Sequence, residues 1–135
     1  MRGLIIVTTF LMTIVTLMSF QKKQKFDLKA SIERGKEVYN AQCITCHLEK
    51  GEGIEGVFPP VAKSDYLMAD KNRSIIQILE GASGEMKVNG TVYNGEMQAI
   101  DLTDEQVSDV LNYVRNSWGN KGGAVTPSEV KVHRK

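Results

Sequence analysis

The chain has 135 residues, 41% of them hydrophobic and 24% charged, with 17 basic against 16 acidic side chains and a formal net charge of +1. That length supports one domain plus tails, with a modest core. The charge balance removes the electrostatic case for nucleic acid as a partner.

The first segment reads as targeting rather than fold. Arg2 precedes an apolar run from Leu4 to Phe20 that is diluted only by threonines, methionines and Ser19 and shows no polar face. Residues 1–20 are expected to act as an export signal peptide or an N-terminal membrane anchor. No Ala-x-Ala-like cleavage site follows the run, which is slightly short of the ~20 apolar residues of a comfortable span. Either way the chain is expected outside the bacterial cytoplasm, periplasmic and soluble or tethered to the outer face of the cytoplasmic membrane through residues 4–20. Residues 21–30, rich in lysine, read as a linker.

A helix is predicted over 31–42, with Ser31 as N-cap and Ile32, Val38 and Tyr39 among its apolar positions. Gly35 inside it costs roughly 1 kcal/mol relative to alanine, which suggests that another helix crosses there. Cys43-Ile44-Thr45-Cys46-His47 follows, the Cys-x-x-Cys-His pattern of covalent haem attachment. Two thiols at that spacing add across the haem vinyl groups, and the next histidine is held beneath the iron as its proximal ligand. These are the only two cysteines, so no disulfide framework competes. A structural zinc site would need two further ligands, and the only other histidine, His133, lies in a polar tail. A thioredoxin-like pair would want a βαβ context, which does not surround residues 43–46. Low aromatic content, 7%, suits a small fold that borrows apolar bulk from a porphyrin.

Gly51-Glu52-Gly53-Ile54-Glu55-Gly56 spells a dinucleotide-binding pattern, but it follows no strand, opens no helix, and its glutamates repel phosphate. It is expected to be a loop along the haem edge, its glycines allowing close approach to the porphyrin. A short helix is predicted over 73–80, stopped by Gly81. Asn89-Gly90 between alternating apolar residues predicts a tight hairpin over 86–93 with a type I′ turn. Thr103-Asp104-Glu105-Gln106 is a capping-box signature opening a helix over 103–118, with Val107, Val110, Leu111, Val114 and Trp118 on one stripe and Gly119 as C′. Residues 120–135 read as a flexible basic tail in which Thr126-Pro127-Ser128-Glu129 has the makings of one short helix.

Methionine is the usual sixth ligand of haem iron in electron carriers, because the thioether favours Fe(II). Outside the leader the candidates are Met68, Met86 and Met97. Met97 is the strongest, in an irregular Gly-containing stretch just before the capped helix; Met86 sits at the base of the hairpin and Met68 beside Tyr66 and Leu67, where packing explains both.

Six motifs in order carry a resemblance over residues 31–119: Gly35-x-x-Val38-Tyr39, Cys43-x-x-Cys46-His47, Phe58-Pro59-Pro60, Tyr93-Asn94-Gly95-x-Met97, Leu102-Thr103-Asp104-Glu105-Gln106, and Tyr113-Val114-Arg115-Asn116-Ser117-Trp118-Gly119. Through them the chain resembles the class I cytochromes c, in particular the cytochrome domains found with bacterial periplasmic dehydrogenases and nitrite reductases. The resemblance implies an all-α fold whose N- and C-terminal helices cross around one covalent haem c, with a small β-hairpin excursion before the axial methionine. It implies that Gly35 and Tyr39 pack near Val110, Tyr113 and Val114, and that the Pro59 carbonyl accepts the proximal histidine's Nδ1–H. The family commonly has proline after the axial methionine, where this chain has Gln98.

The expected cofactor-binding set is therefore Cys43, Cys46, His47, Pro59 and Met97, with His47 and Met97 on the iron. The expected function is one-electron transfer with redox protein partners, as a periplasmic shuttle or the cytochrome subunit of a respiratory oxidoreductase. The chain is read as an electron carrier rather than an enzyme, since no paired carboxylates or nucleophile–base arrangement argues for substrate chemistry. The alternative is a haem enzyme or gas sensor with an open distal site, peroxidase-like, in which Met97 does not bind iron. Glu49, Glu52 and Glu55 cluster beside the haem-binding segment; such a patch would steer a basic partner face, chiefly through the on-rate.

Overall fold

A computed structural model of the protein describes residues 25–135. The expected signal or anchor segment, 1–20, and the first residues of the linker lie outside the described residues. None of the described helices is long and apolar enough to cross a membrane.

Among the described residues, six helices and one hairpin follow in chain order: α1 (Leu28–Gln42), α2 (Ile44–His47), α3 (Asp65–Ala69), α4 (Lys71–Glu80), β1 (Met86–Val88), β2 (Thr91–Tyr93), α5 (Asp104–Val114) and α6 (Pro127–Val132). The first helix starts earlier than its apolar pattern suggests. Asp27, not Ser31, is the N-cap, its side chain accepting from the Ala30 amide. Ser31 is buried instead, donating to Asp109. Ser31, Gly35 and Tyr39, one turn apart, form the buried stripe of α1, and that stripe meets α5.

α5 is the centre of the molecule, in contact with α1, α4 and α6. Its capping box is present as expected, with Thr103 accepting from the Gln106 amide and Gln106 reaching back to the Thr103 amide. The helix ends at Val114 rather than running to Trp118. Asn120 folds back to donate to the Val114 carbonyl at 2.6 Å, and Gly122 donates to that of Arg115 at 2.8 Å. These bonds satisfy the terminal carbonyls in a tight turn, so Gly119 lies beyond the cap and is not the C′ residue.

Tyr39, Ile75, Leu102, Val107, Val110, Leu111, Val114, Val125 and Val130 form one core. α4 is capped by Asp70 and contributes Ile75. The hairpin pairs Met86 with Tyr93 and Val88 with Thr91, and the positive φ of Asn89 (49°) and Gly90 (88°) gives the expected I′ turn. Asp65 and Asn89 exchange two side chain–backbone bonds that pin this turn to the start of α3.

The segment expected as a flexible tail is docked. Thr126 and Glu129 form a capping box with Pro127 in the first turn of α6. Val125 and Val130 are fully buried. Asn112 of α5 bonds both the amide and the carbonyl of Val125, and Ser108 donates to the same carbonyl.

Candidate functional site

Cys43 is the C-cap of α1, its amide bonded to the Tyr39 carbonyl. The chain turns once more as α2, with the Cys46 and His47 amides both donating to the Cys43 carbonyl at 3.2 and 3.0 Å. The two thiols and the imidazole therefore sit on one turn joined directly to α1. Both cysteines are free and half-buried. Tyr39 holds the turn from the core side: its hydroxyl donates to the Leu48 carbonyl at 2.7 Å. Its ring packs against Tyr113 and Trp118, with centroids 5.5 and 5.1 Å away.

The loop after His47 folds back on it. Gly53 donates to the His47 carbonyl, Ile54 pairs with Phe58, and Val61 and Ala62 both donate to the Gly51 carbonyl. The result brings the Pro59 carbonyl 2.9 Å from His47 Nδ1. A carbonyl only accepts, so this bond puts the proton on Nδ1 and leaves Nε2 as the free lone pair of the neutral ring. Burial pushes the His47 pKa below its ordinary value, outweighing the opposing effect of the Pro59 bond. The ring is thus kept in the neutral state that binds a metal.

Gly53 is the residue that lets this loop close. It adopts φ +63°, and a Cβ there would lie 2.3 Å from the Phe58 carbonyl oxygen and 2.8 Å from Pro59. A Cβ on Gly51 would lie 2.7 Å from the Trp118 ring. The first two glycines of the run thus make room for the protein's own chain. Gly56 has open space around it.

The donor set fits a covalent c-type haem. Burial, with a smaller push from Cys46, raises the Cys43 pKa to about 11, so the thiol is protonated at neutral pH. A thioredoxin-like pair works through the opposite shift. Among the described residues no three His, Cys, Asp or Glu side chains converge as a metal cluster. Apolar side chains, among them Val38 and Ile44 at the motif, Val61 at the end of its loop, Ile78 on α4 and Ile100 before α5, pack on the core yet keep part of their surface exposed, as the walls of an apolar prosthetic group would.

Cys43, Cys46, His47 and Pro59 are brought together in one unit. Met97 is held elsewhere, half-buried, with its backbone paired to Ala82 just after α4. Met68 lies in α3 and Met86 in β1, each half-buried within its own element. Sequence reasoning singled out Gly53 only as part of a loop and missed what Gly81 and Ala82 do. Gly81 announced itself only as a helix stop, and nothing in the sequence tied Ala82 to a methionine fifteen residues on.

The "Cytochrome c" family pattern matches residues 32–118. The chain is 38% identical over 91 residues to cytochrome c-552 of Thermus thermophilus, an alignment covering 64% of this chain and 69% of that protein. It is 29% identical over 103 residues to the cytochrome c subunit of the quinone alcohol dehydrogenase of Gluconobacter oxydans, covering 74% of this chain and 22% of the subunit. A third relative is the gluconate 2-dehydrogenase cytochrome c subunit of Pantoea cypripedii, 32% identical over 107 residues, with 76% and 24% covered. The chain thus spans about a quarter or less of these two dehydrogenase subunits.

Proposed function

The chain belongs to the cytochrome c family, and from that premise we propose how its own residues hold the haem and serve electron transfer. As a member it carries covalently bound haem c and works as an electron carrier rather than as a catalyst of substrate chemistry. The haem supplies an iron that cycles between Fe(III) and Fe(II) when bound.

In our reading Cys43 and Cys46 anchor the haem through two thioethers. His47 binds the iron through Nε2. The Pro59 carbonyl fixes the imidazole's tautomer and orientation, as the outer partners of metal-bound histidines do. Met97 would supply a second ligand to the iron, where its thioether would favour Fe(II). The observation that carries this reading is the 2.9 Å contact of His47 Nδ1 with the Pro59 carbonyl, since it prepares the one ring nitrogen the iron needs.

Export follows from the chemistry of attachment, which in this class takes place outside the bacterial cytoplasm. Residues 1–20 would act as the signal or as a retained anchor. The partners in our reading are redox proteins in that compartment, either freely diffusing or dehydrogenase-like, as the names of the relatives suggest. Glu49, Glu52 and Glu55 are all exposed and would steer a basic partner face. Electron-transfer rates that fall with ionic strength are expected; a flat response would remove charge steering.

The central test is the visible spectrum of the oxidised, exported protein. The weak far-red band of thioether-to-iron charge transfer is expected, and Met97→Ala is expected to abolish it. A coloured, high-spin protein without that band, taking up carbon monoxide readily when reduced, would put Met97 off the iron and favour the open-site enzyme or sensor.

A further inference from the structure

The stretch that carries Met97 is fastened to the end of α4 by backbone bonds. Met97 donates to the Ala82 carbonyl at 2.8 Å and accepts from the Ala82 amide at 2.9 Å. Three residues on, Ile100 donates to the Ile78 carbonyl at 3.0 Å. The methionine is thus bracketed by main-chain bonds to one helix end, and α4 is itself seated in the core by the fully buried Ile75.

Gly81 makes this approach possible. It has φ 84° and ψ −179°, a region open essentially to glycine alone. A Cβ on it would lie 2.6 Å from the Met97 carbonyl oxygen and 3.1 Å from the Ala99 amide nitrogen. Any side chain would push the Met97 strand off its partner.

We propose that Gly81 is a positioning residue for the axial methionine: its bare Cα seats the Met97 carbonyl against the end of α4, and the Ala82–Met97 pair presets the thioether for the iron. The proposal rests on Met97 being the ligand. A loop already held in its bound form gives up less conformational freedom on ligation than a free one. This device suits a chain with Gln98 after the methionine, which lacks the stiffening that proline gives at that position.

Cyanide binding to the ferric holoprotein tests it, because cyanide enters when the thioether leaves. Gly84 is the control: its φ is +85°, but nothing lies within 4 Å of its would-be Cβ. Gly81→Ala is expected to bind cyanide about tenfold faster or more, with a weakened far-red band, as overpacking against backbone displaces the loop. Gly84→Ala is expected to stay near wild type. Equal behaviour of the two variants would overturn the clamp while leaving the ligand intact. A Met97→Ala protein that kept the band would instead overturn the ligation reading on which the clamp rests.

Amide exchange in the unmutated holoprotein gives a second route, should Gly81→Ala fail to accumulate. Saturating the iron with imidazole displaces the thioether, so the Ala82 and Met97 amides should then exchange several-fold faster while that of Val107 in α5 is unchanged. Unaltered exchange at both amides would sink the proposal.

Discussion

At the scale of single residues, Gly35 shows contact geometry overruling propensity. Alanine is favoured over glycine in a helix interior by about 1 kcal/mol, so Gly35→Ala in an isolated α1 would be stabilising. In the folded chain a Cβ there would sit 1.9 Å from the Asp109 carbonyl oxygen and 2.9 Å from Tyr113 Cβ. Both obstacles are part of the neighbouring helix, so α1 and α5 would have to separate. The expected result is a loss of about 3 kcal/mol or more in denaturant unfolding, at the upper end of the cost of overpacking; an unchanged or raised stability would mean that the helices part without penalty. The same scale explains what was legible at the site. Cys43, Cys46 and His47 are contiguous and chemically distinctive, so their pattern was readable at once, whereas Pro59 was found only through its place in a family. Gly53 showed only as part of a glycine-rich loop and Gly81 only as a helix stop, because what each permits is a close approach by another part of the chain.

Between elements, the contact of α1 with α5 is held by a polar chain as well as by Tyr39 and Gly35. Asp109, only 2% exposed, accepts from Ser31 at 2.5 Å and from Arg34 Nε and Nη2 at 2.7 and 2.8 Å, while Asn112 donates to Ser31. This chain explains the misplaced helix start. Serine at 31 and aspartate at 27 are both good caps, and only the presence of Asp109 across the interface takes Ser31 inward. It also explains why α5 hid more of its surface than its apolar stripe announced: Ser108, Asp109 and Asn112 are buried by being bonded, not by being apolar. Arg34→Met should leave the Asp109 carboxylate with Ser31 and little else, costing about 2 kcal/mol, the scale of a charge-assisted bond with a buried acceptor. The comparison is Lys135→Met, which removes an ion pair with Glu80 whose side chains are 85% and 37% exposed and should cost under about 0.5 kcal/mol. Equal losses in urea unfolding of the two variants would show that the α1–α5 chain is no stronger than a surface pair.

Across the whole molecule, the last sixteen residues act as a strap over α5 and α4. Their sequence hides this, being glycine-rich and basic with three valines, of which Val125 and Val130 enter the core and Val132 stays exposed. The face that receives them offers Ser108 and Asn112, which read as solvent-facing positions until their bonds to the Val125 backbone are seen. Two ion pairs tie the strap to α4, Lys71 with Glu129 and the more exposed Lys135 with Glu80. The bond from Lys71 is the chief cause that holds the Glu129 carboxyl below its ordinary 4.5, helped by donation from Thr126 and opposed by burial. A depressed carboxylate contributes stability that is present above 4.5 and is lost as pH falls through the lower, folded-state value. The strap should therefore loosen in acid, and amide protection at Val130 should drop across that window. Glu129→Gln keeps a side chain able to accept from Thr126 but cannot titrate, so its Val130 protection should stay flat there. Lys71→Met removes the dominant cause and leaves the carboxyl, so the loss should move upward towards 4.5. A midpoint unmoved in Lys71→Met would assign the acid response to the cap at Thr126, and α6 would then be held on its own terms rather than through α4.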